Sequence, residues 1–178
     1  GASFLTGAAS TALWSFGGQL ASLRLGWGSA GIGVLWTAIG AAGIAGAAAG
    51  WLVARFGVDR VHWAFLAAMA MGIVAVGAGF ASPATTLAGG ALFGAAYVML
   101  TGVYLVWGVA AVPERPATGL MIGFLTIAVG QTVGAPVFGF LLDRFGPGEA
   151  VFAFACVGLA AGLTRVRIRP GRAVVRSC

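Results

Sequence analysis

Thr11, Ser15 and Gln19 recur every fourth position near the start of the chain, with Trp14 beside them. On a helix such steps advance about 40° each, so the three fall within roughly 80° of one face. Farther along, Tyr97, Thr101 and Tyr104 share a face by their i, i+4, i+7 spacing, and Trp107 lies at its edge. Hydroxyl, phenol and amide groups in such stripes suit hydrogen-bond recognition of an uncharged or weakly polar small molecule with an apolar or aromatic part. The same stripes could instead bond helix to helix with no solute, and Thr11 or Ser15 could return its hydroxyl to its own helix. Catalysis is poorly provided for. Ser10, Ser15 and Ser29 exist as nucleophiles, but a nucleophile needs a base in reach. The only histidine, His62, stands next to Arg60, and no GxSxG motif occurs, so no enzyme is expected.

Metal and nucleotide chemistry are not indicated either. Cys156 and Cys178 form no CxxC or metal-like spacing. The GxGxxG match at 26–31 would need a strand before it and a helix after it in a βαβ unit; in a chain with 31 Gly it is a coincidence. No cofactor and no metal are expected.

The elements that must carry these residues are set by composition. Of 178 residues, 60% are hydrophobic and only 8% charged, where a soluble domain is about one quarter charged. Mean hydropathy is +1.02. Residues 1–23, 25–54, 63–113, 116–142 and 150–164 contain no charged residue and no His. Roughly 20 apolar residues in a helix cross a bilayer, and Ser82, Pro83, Ala84, Thr85 and Thr86 divide the longest run. Six transmembrane helices are predicted, over about 1–22, 30–54, 62–81, 87–110, 118–142 and 148–164. The fold class is an all-α membrane protein with a 1–164 transmembrane domain and a basic cytoplasmic tail, 165–178. A cytoplasmic N-terminus places eight arginines inside and two, Arg24 and Arg144, outside, the asymmetry of the positive-inside rule. Both termini then face the cytoplasm, and Trp51 and Trp63 flank the inner interface. The net charge of +6 comes largely from the tail, where anionic lipid is the expected partner and nucleic acid is not. His62 reads as an interfacial residue, and no ionisable side chain is expected at mid-span, which leaves no obvious proton carrier.

One charged corner is spelled twice. GWLVARFG occupies 50–57 and GFLLDRFG occupies 139–146. Each falls at the end of a predicted helix and the start of the following loop, on opposite faces of the membrane. The expectation is two inverted three-helix repeats, about 1–81 and 87–164, a known transporter design.

GWLVARFGVDR resembles the loop motif of the major facilitator superfamily: Gly, three residues, Asp, Arg, one residue, Gly, then basic positions. Gly50, Arg55, Gly57 and Arg60 fit that pattern, and Ala54 replaces its Asp; the second copy, with Gly139, Asp143 and Arg144, keeps an acid. GQTVGAPVFG resembles the family's Gly-and-Pro motif through Gly130, Gly134, Pro136 and Gly139, with Ala135 as an extra residue. TGVYLVWG, VPERPATGL and IAVGQTVGAPVFGFLLDRFG are most similar to a poorly characterised bacterial branch. The resemblance covers essentially the whole chain and implies the C-terminal six-helix half of a secondary transporter in a bacterial plasma membrane. It implies that Thr11, Trp14, Ser15, Gln19, Tyr97, Thr101 and Tyr104 face the substrate, that Arg55 and its motif gate access, and that an N-terminal six-helix half is missing. The initial Gly in place of Met is the matching expectation of a fragment or processed product. Small residues four apart, including Gly46 with Gly50 and Gly130 with Gly134, are expected at helix contacts. The alternative is a six-helix module acting as an oligomeric channel or assembly partner.

Overall fold

Glycine and proline punctuate this chain, and its helices begin and end where they fall. The computed structural model describes residues 1–164. The expected basic tail, 165–178, lies outside the described residues. Among these, every regular element is helical: α1 (Ala2–Trp14), α2 (Gly17–Leu25), α3 (Ser29–Gly43), α4 (Ala49–Phe56), α5 (Val58–Gly77), α6 (Pro83–Ala111), α7 (Pro116–Phe145) and α8 (Pro147–Ala160). Single 3-10 segments, Ile44–Ala48 and Ala161–Leu163, join α3 to α4 and extend α8.

Pro83, Pro116 and Pro147 open α6, α7 and α8, where proline's missing N–H costs nothing. Ser82 and Thr85 form a reciprocal capping box at the start of α6, through Thr85 N–H to Ser82 Oγ at 3.2 Å and Ser82 N–H to Thr85 Oγ1 at 2.7 Å. That box starts α6 four residues before the predicted boundary, and α5 ends at Gly77 rather than 81.

The repeated octets fold alike. Gly57 ends α4 and begins α5 at φ 84°, ψ 150°; Gly146 ends α7 and begins α8 at φ 91°, ψ 172°. In each, the glycine N–H donates to the carbonyl four residues back, Val53 or Leu142, at 3.0 Å. This backbone region is essentially reserved for glycine. The predicted loops are therefore single-residue corners. They lie at opposite ends of the bundle. Arg24 Nε donates to the Gly77 carbonyl at the end of α5, and a Cβ built on Gly148 would meet the Arg24 guanidinium. The 20 residues of α5 thus separate the Gly146 corner from Gly57, about 30 Å.

Four helical segments are long and apolar enough to cross a membrane: Ser29–Phe56, Val58–Gly77, Pro83–Ala111 and Pro116–Phe145. They fit a multi-pass membrane protein. The outside agrees, since large apolar side chains such as Trp51, Met71, Phe80, Leu125 and Phe140 are exposed, as they would be against lipid. The expectation of six transmembrane helices is corrected at both ends. The first predicted helix is interrupted at Ser15 and Phe16, the latter at φ −120°, ψ 0° just before the weak helix formers Gly17 and Gly18. The last, Pro147–Leu163, falls short of a full span.

Packing follows the small residues. α1 lies against α7 and α8, α3 and α4 against α6, and α5 against α6 and α8. Between α1 and α7, a Cβ on Gly7 would strike the Ile127 carbonyl, on Gly130 the Phe4 carbonyl, and on Gly134 the Ala8 carbonyl. Between α6 and the α3–α4 rod, Gly94 abuts the Ile39 carbonyl, Gly46 the Val98 side chain and Gly102 Ala49. Backbones approach this closely only where no side chain intervenes, which is how helices associate in lipid.

Candidate functional site

Two polar layers cross the interior where α1, α5, α6 and α7 meet. The first is built by Ser10, Tyr97 and Gln131. Gln131 Nε2 on α7 donates to Tyr97 Oη on α6 at 3.1 Å and to Ser10 Oγ on α1 at 3.3 Å, and Ser10 Oγ donates to the Gly7 carbonyl at 2.8 Å. Gln131 and Tyr97 are half-buried, and an amide and a phenol in apolar surroundings must find partners; here three helices supply them. Around Tyr97 stands an aromatic group. Trp14 lies edge-on to Tyr97 with centroids 5.4 Å apart, edge-on to Phe93 at 5.8 Å, and stacks on Trp36 at 5.8 Å. Trp14 is 37% exposed, so one side of this cluster is open.

The second layer is one α1 turn away. Thr6 Oγ1 shares a hydrogen bond with Tyr104 Oη, which shares another with His62 Nε2 at 2.9 Å. Trp107 closes on the imidazole edge at 4.8 Å. Thr6 precedes Ser10 by four residues and Tyr104 follows Tyr97 by seven, so the helical periods of α1 and α6 stack the layers. A cavity of about 300 Å³ opens beside Tyr104 and Trp107, lined also by Ser3, Gly119, Ile122 and Thr126. A second, about 320 Å³, is bounded by Asp59, His62, Trp63, Gly162 and Thr164.

The sequence-predicted residues distribute unevenly over this arrangement. Trp14 and Tyr97, predicted on separate stripes, meet edge to face. Thr101 is half-buried and donates to the Tyr97 carbonyl on its own helix at 3.0 Å. Thr11 is buried and spends its hydroxyl on the Gly7 and Gln131 carbonyls, both at 3.3 Å. It ties α1 to α7. Ser15 and Gln19 are exposed, but the break at Ser15 and Phe16 moves Gln19 to α2. The single continuous stripe of the first helix is thereby corrected. Tyr104 is buried in the second layer.

Among the motif residues, Gly50, Arg55, Arg60, Asp143 and Arg144 are exposed, and Arg55 lies 5.9 Å above the Phe56 ring. Gly57 forms its corner, and Gly139 faces the Phe16 ring. Gly46, Gly130 and Gly134 make the helix contacts described above. Pro136, expected among the packing residues, is exposed inside α7. His62 overturns its reading: at 2% exposure it is a buried member of the bundle, not an interfacial residue. Thr6, Trp36, Phe93 and Gln131 were not singled out by sequence reasoning, and Ser10 was weighed only as a nucleophile. Gln131 carried a usable signal, as the one amide in a long uncharged run.

The chain matches no protein-family profile, no curated protein and no solved structure.

Proposed function

We propose that this chain is the C-terminal six-helix half of a secondary transporter of the major facilitator type, moving a small solute by alternating access. The observation that carries the reading is the repeated glycine corner. Two octets 89 residues apart give the same backbone geometry at opposite ends of the bundle. The packing supports the same duplication. Exchanging 1–81 with 87–164 turns α1 against α7 into α6 against α3, turns α5 against α6 into α8 against α1, and leaves α5 against α8 unchanged. The contact of α6 with α7 is far more extensive than its counterpart, α2 with α3, because the first rod is broken.

In this reading the open side of the Trp14, Trp36, Phe93 and Tyr97 cluster meets a solute held between this half and its partner. The aromatic faces favour a ring-bearing or apolar molecule, and the Gln131 and Tyr97 dipoles orient its polar group. The protein resides in a bacterial plasma membrane with both termini cytoplasmic, against lipid, and uses no cofactor. Binding solute at the midplane between repeats is how such folds work.

The test is transport by the two halves together in proteoliposomes, with a panel of neutral aromatic solutes. Trp14→Ala and Tyr97→Phe are expected to lose at least about tenfold in uptake at unchanged protein level, roughly 1.4 kcal/mol of lost recognition. Unaltered transport in both, and in Ser15→Ala and Gln19→Ala, removes the cavity assignment. A self-associated channel would instead pass solute without saturation.

A further inference from the structure

We infer that His62 is a proton-binding site, and that its protonation reverses the hydrogen-bond chain tying α5, α6 and α1 together. His62 Nε2, Tyr104 Oη and Thr6 Oγ1 are linked in series across three helices. Phenol and hydroxyl can each donate or accept, so the chain has two directions. With neutral imidazole carrying its proton on Nδ1, Thr6 donates to Tyr104 and Tyr104 donates to Nε2. When one proton is added, both ring nitrogens carry hydrogen. Nε2–H must then donate to Tyr104, Tyr104 donates to Thr6, and Thr6 turns its own hydrogen to another acceptor. One proton enters, no covalent bond between heavy atoms changes, and every link has reversed.

A cavity adjoins each end of the His62–Tyr104 pair. Nδ1 already carries hydrogen in the neutral form, so the added proton reaches Nε2 by way of Tyr104, which takes up a proton at its oxygen as it passes its own hydrogen to Nε2. Tyr104 borders the cavity at the start of α1, and His62 the one bounded by Asp59 and Thr164. Of the charged groups nearby, one acid is placed to favour a cation at His62. On α5, Asp59 precedes His62 by three residues, on the same helix face, while Arg60 is exposed. Of the elements packed against α5, α6 presents Tyr104, and α1 presents Thr6 and no ionisable side chain. Arg55 of α4 lies over Phe56. Arg24 of α2 is at the far end of α5, on the Gly77 carbonyl, and Glu149 of α8 is beside Gly146 at that same end. Residues 161–164 bring no ionisable side chain.

A buried histidine whose hydrogen bonds reverse on protonation biases the relative fit of three helices. That is the requirement for coupling proton binding to rocking of the bundle. The coupling role rests on the transport reading above; the proton site does not.

The chain holds a single histidine, so uniform 15N-histidine labelling reports on His62 alone. The 178-residue chain in lipid nanodiscs is titrated from about pH 2.5 to pH 9, which extends well below the pH 5–8 range in which an unperturbed imidazole changes charge. The expected result is a one-proton titration of both ring nitrogens. Thr6→Val, which does not touch the imidazole, should move the midpoint by about half a pH unit through Tyr104. Tyr104→Phe should move it by about one unit, the worth of one hydrogen bond. A spectrum constant across the range overturns the proton site. A midpoint unmoved by Thr6→Val overturns the reversing chain, and needs no refolding of a Tyr104 variant. If titration and its shift hold while the two halves reconstituted together show no solute flux, the transport reading fails and the proton site stands.

Discussion

At Gln131 one nitrogen holds two helices to a third. Its amide donates to Tyr97 and Ser10, and neither partner is fully replaceable, since lipid supplies no hydrogen bonds. Hydrogen bonds between membrane helices average about 0.6 kcal/mol and reach about 1.7. Gln131→Leu is therefore expected to cost about 1 kcal/mol of stability, measured by reversible detergent unfolding in bicelles. Tyr97→Phe removes the same link from the other side. The double variant should then fall short of the summed losses by about 0.5 kcal/mol or more, the mark of a shared contact. Strict additivity would mean that the Gln131–Tyr97 bond carries no energy. Thr11 teaches the converse lesson. Its place in a polar stripe was readable, but not its use, because a threonine can return to its own helix or cross to a neighbour, and here it does both.

At the scale of elements, the corners decide. Gly57 and Gly146 sit near φ 84–91° with extended ψ, where any Cβ is strained by about 1–3 kcal/mol. Gly57→Ala and Gly146→Ala should each lose that amount, and by similar margins because the geometries match. Gly50, the first residue of the same octet, faces open space inside α4. Gly50→Ala should leave stability unchanged or raise it by about 0.5–1 kcal/mol. Equal behaviour of Gly50→Ala and Gly57→Ala in the same unfolding assay would contradict the corner. The octets were legible because identical residues recur; that they are corners was not, because a loop and a one-glycine pivot share composition. The helix runs were legible from their missing charges. The break at Ser15 and Phe16 was not, since Ser, Gly and Ala sit in long membrane helices as readily as they interrupt them. His62 was misjudged for a related reason: Asp59 and Arg60 mark the helix end, but the fifth residue of α5 has already turned inward to Tyr104.

For the whole molecule the question is whether the two corners lie on opposite faces of one membrane. The geometry of the described residues separates them by the length of α5, and the transport proposal orients the Gly57 end to the cytoplasm. Asp59 and Glu149 are exposed residues just past each corner. Each can report its side without disturbing the glycine. In a background carrying Cys156→Ser and Cys178→Ser, Asp59→Cys should resist a membrane-impermeant maleimide in right-side-out vesicles and react in inverted ones, and Glu149→Cys should do the reverse. Both reacting from one face would place the corners on the same side and end the inverted-repeat reading. The arginine asymmetry alone could not decide this, because charge bias orients a chain only where helices truly cross. Its first and last rods are the ones that fall short. Opposite labelling would require an odd number of crossings between Asp59 and Glu149. With α5, α6 and α7 the only full-length spans between them, three crossings meet that requirement.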